Sequence, residues 1–205
     1  SGRTLAQKLG LKAGETVAIV GESGSGKSQL MMATMGLLAS NGRAAGVASY
    51  RGTNLVGLPK AELNTIRGRK ITMIFQEPMT SLDPLYTIGD QLMEPIMHHQ
   101  KLGAAAARSR AIEMLKLVHI PEAERRMGSY PYEMSGGQRQ RVMIAMALAN
   151  DPDLLIADEP TTALDVTIQA QIVDLVRELK DRLKMSVVWI THDLGVIAGI
   201  ADRVM

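Results

Sequence analysis

The sequence has no cysteine, few aromatic residues and no long apolar run, and each absence excludes a class of function. Without cysteine it offers no disulfide, thiolate metal site or thiol nucleophile, which suits a reducing compartment, so we expect a cytoplasmic location. Aromatic residues make up only 3%, and 23 Lys+Arg against 21 Asp+Glu leave a net charge of +2. Stacking platforms and a basic surface are therefore both missing, and we expect no nucleic-acid partner. The most apolar stretches, 31–39 and 142–149, are far shorter than the roughly 20 residues that span a bilayer.

Alternating strand and helix patterns mark the two ends of the chain. With 46% hydrophobic residues among 205, the chain can bury a substantial core. Residues 16–20 form an apolar, β-branched run that ends at a glycine-rich turn, and 27–38 follow with a helical pattern. The alternation returns in strands and helices predicted over 154–157, 167–183, 186–190 and 194–200. This order predicts an α/β fold with a parallel sheet covered on both faces.

The middle of the chain has a different character. Between 86 and 150 strand signals are almost absent, and Ala, Leu, Met, Arg and Glu dominate. We predict helices over 87–99 and 104–118, a turn near 122–128, and a helix that begins near Gly136. Strands are also predicted near 45–53 and 71–75, with a short helix opened by Pro59 between them. The chain is thus interpreted as one domain, 1–205, whose α/β core (1–85 and 150–205) carries a helical subdomain over 86–149.

A phosphate-binding loop is the clearest motif. The segment reads Gly21-Glu22-Ser23-Gly24-Ser25-Gly26-Lys27-Ser28. It lies between a predicted strand and a predicted helix, as the motif requires. Its glycines allow consecutive backbone N–H groups to turn toward an anion at a helix N-terminus. Lys27 is expected to reach the β- and γ-phosphates, and the Ser28 hydroxyl to ligate Mg²⁺. The alternative is a glycine-rich turn that merely precedes a helix.

Two adjacent carboxylates follow the apolar run at 154–157. Asp158 and Glu159 stand at the carboxyl end of this strand, where open α/β sheets bind their ligands. Successive side chains leave a strand in opposite directions, so the two groups can take different tasks. We expect Asp158 to hold Mg²⁺ and Glu159 to act as the general base on the attacking water. Taken alone, the pair could equally be a solvated turn.

A second glycine-rich helix start reads Ser135-Gly136-Gly137-Gln138. It precedes an Ala- and Met-rich helix and presents bare amides, hence a second phosphate-binding end. One nucleotide needs only one such cradle. Read alone, Ser135 is an ordinary helix N-cap.

Taken together, these motifs resemble the ABC ATPase family over essentially the whole chain. The family elements occur in order as the loop 21–28, Gln76, the Ser135–Gln138 motif, Asp158-Glu159, Asp165 and His192. The resemblance implies ATP bound between the phosphate loop of one subunit and the Ser-Gly-Gly-Gln motif of another. It also implies that Gln76 senses Mg²⁺ and the water, that His192 bonds to the γ-phosphate, and that Asp165 contacts the opposing subunit. Without the family these three residues read as a surface glutamine, a helix cap and a loop carboxylate.

Longer stretches resemble the ATPases of oligopeptide, dipeptide and nickel importers. They are Phe75-Gln76-Glu77-Pro78-Met79-Thr80-Ser81-Leu82-Asp83-Pro84, Arg139-Gln140-Arg141-Val142 and Asp158-Glu159-Pro160-Thr161-Thr162-Ala163-Leu164-Asp165-Val166. This resemblance implies an importer in which two ATPase subunits join two transmembrane permease subunits and an extracytoplasmic solute-binding protein. The ATPase would then lie at the cytoplasmic face of the plasma membrane and energise uptake of peptides or related small solutes.

The chain departs from the family pattern at both ends. No Phe, Tyr, Trp or His occurs between Ser1 and Ser49, where the family places an adenine-stacking aromatic, and the chain stops at Met205, where a further strand is expected. We therefore expect a fragment trimmed at both ends. A rival interpretation is a non-transport ABC ATPase that acts on nucleic acid or the ribosome, but the coiled-coil or zinc insertions, or the paired domains with a basic linker, expected of that class are missing. A non-catalytic nucleotide-binding scaffold is disfavoured by Lys27, Asp158 and Glu159.

Overall fold

A computed structural model describes residues 10–22, 24–76, 81–162 and 164–205. Its strands are β1 (Thr16–Val20), β2 (Ser49–Tyr50), β3 (Thr53–Asn54), β4 (Ile71–Ile74), β5 (Leu154–Asp158), β6 (Ser186–Thr191) and β7 (Arg203–Val204). The main sheet has the order β4-β5-β6-β1-β7, and each of its neighbouring pairs is parallel. Every residue of β6 is buried, as expected of a central strand with both faces covered.

The helices of the described residues connect and cover these strands. They are α1 (Lys27–Thr34), α2 (Lys60–Ile66), α3 (Ile88–Gln100), α4 (Ala104–Leu117), α5 (Ala123–Arg126), α6 (Gly136–Leu148), α7 (Val166–Leu183) and α8 (Leu194–Ile197), with a 3₁₀ turn at Pro131–Glu133. No helix in the described part of the chain is both long and apolar enough to span a membrane.

The sheet separates two apolar clusters because neighbouring strand residues point to opposite faces. In β5, Leu155 belongs to one cluster and Ile156 to the other. The larger cluster includes buried residues of α3, α4, α6 and α7, whereas the smaller one takes Met31 from α1 and Leu63 from α2. The helices between β4 and β5 therefore share the larger cluster with α7 on one face of the sheet. This arrangement confirms the predicted α/β fold class; the exact subdomain boundaries stay a prediction.

Several elements differ from the sequence-based expectation. Helix α1 ends at Thr34 rather than at 38, because Gly36 adopts a φ of 59°. There Leu37 N–H donates to the Met32 carbonyl (2.8 Å) and Gly36 N–H to the Ala33 carbonyl (3.2 Å), which closes the helix.

The strand predicted over 45–53 is instead the antiparallel hairpin β2–β3. It turns at Arg51 and Gly52, which both have positive φ (48° and 85°), the conformation of a two-residue hairpin turn. Near the end of the chain, α8 stops at Ile197 rather than at 200. The short strand β7 lies where a further strand was expected, and it pairs with β1.

Candidate functional site

The loop between β1 and α1 has the backbone conformation of a phosphate cradle. Gly24 and Gly26 have φ values of 79° and 89°, a region that favours glycine. A Cβ at either position would meet nothing within 4 Å, so conformation rather than space requires glycine here. Gly26 is the N-cap of α1 and has no side chain to accept from the first-turn amides, which leaves them available to an anion. Ser23 lies outside the described residues.

Lys27 lies across this loop. Its Nζ donates to the carbonyl oxygens of Gly21 and Glu22, both at 2.7 Å, and contacts Ser25 Oγ at 3.3 Å. A primary ammonium has three donors on a flexible stem, so it can exchange carbonyl partners for phosphate oxygens without a change in the backbone.

Ser28, in the first turn of α1, donates its hydroxyl to Asp158 Oδ1 at 2.9 Å. Asp158 ends β5 and is only 2% exposed. Burial raises the pKa of this carboxyl, the neighbouring charge of Glu159 raises it further, and the Ser28 hydrogen bond and Lys27 charge oppose the shift. A buried carboxylate beside a hydroxyl oxygen is a suitable donor pair for a hard cation.

Ser28 and Asp158 suit Mg²⁺ better than they suit an ion that is coordinated only by protein side chains. Within the described ranges, no group of three or more His, Cys, Asp or Glu side chains could hold a metal. Mg²⁺ usually takes one or two carboxylates and completes its shell with water and substrate phosphates. Ser28 and Asp158 beside the phosphate loop therefore fit a Mg²⁺ that arrives with a nucleotide.

Glu159 accepts contacts from three other residues through one oxygen. Gln76 Nε2 lies 3.2 Å from Glu159 Oε2, Thr162 Oγ1 2.9 Å, and His192 Nδ1 3.2 Å. Glu159 is buried, whereas half of the His192 side chain is exposed. The Glu159 backbone has a φ of 46°, a strained conformation for a residue other than glycine that is typical of functional sites. The arrangement holds a carboxylate in a fixed orientation at the sheet edge.

Sheet order explains why these residues meet. Strand β5 lies between β4 and β6, and the carboxyl ends of parallel strands lie at one edge. Gln76 follows β4, Glu159 follows β5 and His192 follows β6, so the three predicted residues converge. Thr162 is a fourth residue of this group, and sequence reasoning did not assign it. Its spacing of three residues after Glu159 within a tight turn was the available signal.

The Ser135–Gln138 motif opens α6 as a capping box. Ser135 Oγ accepts from Gln138 N–H at 3.2 Å, and Gln138 Oε1 accepts from Ser135 N–H at 3.1 Å. The two glycines lie against the start of α7: a Cβ on Gly136 would lie 3.6 Å from Leu164 Cδ2, and one on Gly137 only 2.9 Å from Ile168 Cγ2. Ser135 is thus an N-cap, as the simpler interpretation expected.

The structure does not bring every predicted site residue together. Asp165 caps α7, where its Oδ1 accepts from Ile168 N–H at 3.0 Å. Among the described residues, no hydrogen bond or ion pair joins 135–138 or Asp165 to the phosphate loop of the same chain. A contact of these residues with another subunit stays a prediction.

Comparison with known proteins agrees with the family resemblance of the motifs. A family model described as ABC transporter matches residues 6–162. Over 195 residues the chain is 58% identical to the oligopeptide transport ATP-binding protein OppD of Salmonella typhimurium, covering 95% of this chain and 58% of that protein. The dipeptide transport ATP-binding protein DppD of Lactococcus lactis is 54% identical over 95% of this chain and 56% of its own length. The chain therefore spans less than two thirds of the length of these curated relatives.

A solved structure also matches closely. The ATP-binding cassette MJ0796, in a dimeric post-hydrolysis state bound to ADP and Pi, superposes with a TM-score of 0.79 at 35% identity, over 92% of this chain and 79% of that one. The family resemblance drawn from the motifs, and the similarity to oligopeptide and dipeptide transport ATP-binding proteins, are confirmed. The chain belongs to the ABC transporter family.

Proposed function

We propose that this chain is the ATP-binding and ATP-hydrolysing part of an ABC importer that energises uptake of peptides or related small solutes. The observation that carries the proposal is the Glu159 carboxylate, held by Gln76, Thr162 and His192 beside the Ser28–Asp158 pair. A fixed base next to a phosphate cradle is the arrangement that nucleotide hydrolysis requires.

ATP is the substrate, and its phosphates would enter the loop 21–28. The first-turn amides of α1 and the Lys27 ammonium would bind the β- and γ-phosphate oxygens, so that Lys27 leaves the carbonyl groups of Gly21 and Glu22. Ser28 and Asp158 would hold Mg²⁺. The ion, when bound, neutralises charge that develops on the phosphates.

The chain's own groups supply the proton chemistry. Glu159 would accept one proton from the attacking water as the water oxygen bonds to the γ-phosphorus and ADP leaves, and Thr162 would keep the Glu159 carboxylate in place. Gln76 would orient the water, and His192, half exposed, would donate to the γ-phosphate once it turns from Glu159. These roles require only side-chain rotations at the edge of a rigid sheet.

A second subunit would complete each site. Because Ser135–Gln138 has no polar link to the phosphate loop of its own chain among the described residues, its helix terminus is available to the nucleotide of another copy. The dimeric form of the ABC cassette MJ0796 supports this arrangement. ATP would close such a sandwich and hydrolysis would release it.

The remaining partners are inferred from the relatives named for oligopeptide and dipeptide transport. The ATPase dimer would join transmembrane permease subunits, which receive solute from an extracytoplasmic solute-binding protein. The segment that follows Gln76 would contact the permease at the cytoplasmic face of the membrane; its residues 77–80 lie outside the described part of the chain. Dipeptides and oligopeptides are the proposed solute class.

Glu159→Gln tests the catalytic assignment. In the full-length protein within its assembled transporter, this change should slow ATP hydrolysis about 10² to 10⁴-fold while Mg-ATP still binds, because the amide keeps the shape but cannot act as a base. The matched control is Glu62→Gln, an exposed position on α2 that should hydrolyse ATP like the wild type. Phosphate release and nucleotide binding are the measurements. Equal turnover in Glu159→Gln and the wild type would remove Glu159 from this role.

A further inference from the structure

A pair of stacked tyrosines stands just before the second glycine-rich helix start, and the proposed mechanism does not use it. The rings of Tyr130 and Tyr132 are nearly parallel, with centroids 5.5 Å apart and an interplanar angle of 10°. Stacking at this distance is a preferred geometry of aromatic pairs. Tyr132 is 70% exposed, so Tyr130 supports its ring while much of the ring surface stays open to a ligand.

The backbone holds this pair in place through the 3₁₀ turn that contains Tyr132. Glu133 N–H donates to the Tyr130 carbonyl (3.0 Å), and Glu133 Oε2 accepts from Tyr130 N–H (2.6 Å). Pro131 and Met134, which precede and follow the exposed part of the turn, are both buried. The turn is therefore anchored in the helical subdomain at two points and carries the Tyr132 ring outward on a fixed support.

The exposed ring lies close to the helix terminus that the proposed function assigns to the nucleotide of the other subunit. Tyr132 precedes Ser135 by three residues, which separates their Cα atoms by at most about 11 Å. Both residues are exposed. The base of a nucleotide is joined to its phosphates through the ribose, so a nucleotide whose phosphates contact this terminus also brings a flat heterocycle to it. Every base has a π-face, and aromatic side chains beside phosphate-binding surfaces act as stacking platforms for bases.

We propose that Tyr132 stacks against the base of the nucleotide held by the phosphate loop of the other subunit, while Ser135 of the same chain faces the phosphates of that nucleotide. The ligand is thus a purine nucleoside triphosphate, contacted at both of its ends by one short segment of the helical subdomain. Tyrosine suits this use because its ring supplies a large contact area at a small cost in conformational entropy. The proposal rests on the proposed function, in which each nucleotide lies between two subunits.

Tyr132→Ala in the full-length protein within its assembled transporter is the first test. Loss of one stacking contact should raise KM for ATP roughly 10-fold and leave kcat within about twofold, because the base takes no part in the chemistry. Tyr132→Leu keeps an apolar side chain without a ring and should behave like Tyr132→Ala, whereas Tyr132→Phe keeps the ring and should retain most of the affinity. The matched control is Arg108→Ala, which shortens another exposed side chain of the helical subdomain and should change neither constant.

Mixed dimers identify which nucleotide Tyr132 contacts. Paired with a Lys27→Ala chain, the Tyr132→Ala chain supplies the intact phosphate loop, and this loop faces an unaltered Tyr132, so KM should equal that of the wild type. Paired with a Ser135→Arg chain, the open site takes its second half from the Tyr132→Ala chain, so KM should be raised. Contact of Tyr132 with the nucleotide of its own chain would reverse both results. Where the second ATPase subunit is a different protein, the changes equivalent to Lys27→Ala and Ser135→Arg are placed on that protein.

Several results would overturn the proposal. They are a wild-type KM in Tyr132→Ala, a wild-type KM in Tyr132→Leu, and the reversed pattern in the mixed dimers. Reduced solute transport by Tyr132→Ala with an unchanged KM for ATP would also overturn it, and would place the ring against a permease subunit instead. If a single open site does not turn over, the ATP concentration that drives dimerisation is measured in place of KM. Absence of ATP hydrolysis by the wild type would instead overturn the proposed function, and this proposal with it.

Discussion

Two helices of this chain begin at glycine-rich turns, and they treat their first backbone amides differently. Helix α1 starts at Gly26, which has no side chain to offer, and its first-turn hydroxyl, Ser28, bonds outward to Asp158. Helix α6 starts at Ser135, whose hydroxyl turns inward and accepts from Gln138 of its own first turn. The first-turn amides of α1 therefore stay available to a ligand, whereas one of the first-turn amides of α6 is already bonded to the Ser135 hydroxyl.

The glycines differ in the same way. In the phosphate loop Gly24 and Gly26 provide left-handed backbone where space is open, whereas Gly137 provides space under Ile168 in a regular helix. The phosphate loop adopts an unusual backbone conformation that can surround an anion. The glycines at the start of α6 instead allow this helix to pack closely against α7, which fixes the position of its N-terminus. We therefore expect α1 to bind phosphate by itself and α6 to contribute only when another subunit presents a nucleotide.

The strongest test of this difference is complementation between two inactive proteins. Lys27→Ala removes the ammonium of the first cradle, and Ser135→Arg places a long side chain at the second. In a symmetric dimer each change alone should lower ATP hydrolysis about 10² to 10³-fold, since each damages both sites. A mixed dimer contains one site with neither lesion, so mixing the two full-length proteins should restore part of the activity, measured as phosphate release.

The control for the second lesion is Ser135→Ala. It removes only the N-cap, at about 1 kcal/mol of stability, without blocking the approach of a nucleotide, and should retain most of the activity. If the transporter pairs this chain with a different ATPase subunit, the two lesions are placed on opposite partners. Confirmed mixed dimers without any recovered activity, in a protein whose single intact site is known to turn over, would exclude a role for Ser135 in the other subunit's site.

The role of Gly137 can be tested against its neighbour. Gly137→Ala places a methyl 2.9 Å from Ile168 Cγ2, an atom close to the α7 backbone that cannot easily move, and should cost about 1–3 kcal/mol of stability. Gly136→Ala is the matched control, because its methyl would lie an ordinary 3.6 Å from Leu164 Cδ2. Chemical unfolding measures both.

A second change identifies the cause of the destabilisation. Ile168→Leu removes the branching methyl at Cγ2, so in that background Gly137→Ala should lose most of its cost, as a double-mutant cycle would reveal. Gly24→Ala should also destabilise, by about 1–2 kcal/mol, but here no neighbouring substitution can help because the strain lies in φ. Equal cost of Gly137→Ala in both backgrounds would contradict crowding by Ile168.

The same contrast shows what the sequence could reveal. Strands β1 and β6, and the phosphate loop between β1 and α1, were predictable because hydrophobic periodicity and glycine spacing are local signals. The contacts of Gln76 and His192 with Glu159 were not, since they depend on sheet order, which no local pattern encodes. The role of Ser135 as an N-cap was readable from the capping pattern.

Other features were hidden by misleading local patterns. Gln140 stands between two arginines, a run typical of a solvated helix face, yet it is completely buried. The turn at Arg51 and Gly52 interrupts what reads as a single β-rich segment, so one strand was predicted where the hairpin β2–β3 occurs. In both places tertiary packing decided the outcome, as it often does when local preferences are weak.

Asp158→Asn should raise stability, whereas the glycine substitutions lower it, and the change should be smaller. The reason is that the buried Asp158 carboxylate serves ligand binding and does not stabilise the fold. Burial raises its pKa in the folded protein, so the protonated group stabilises the fold below the usual Asp range near pH 3.9, and that contribution is lost as pH rises through the folded pKa. At pH 7 the charged carboxylate therefore destabilises the nucleotide-free protein.

Asparagine at position 158 removes the charge, keeps an acceptor for Ser28, and should raise stability by about 1 kcal/mol, or roughly 2–4 °C in melting temperature. The gain should shrink as pH falls below the folded pKa, and it should reverse in Mg-ATP, where the wild type gains binding energy that the variant lacks. Asp181→Asn, at a side chain that is 72% exposed, should change neither quantity. A lower melting temperature for Asp158→Asn at pH 7 without nucleotide would mean that the carboxylate is already compensated within the fold.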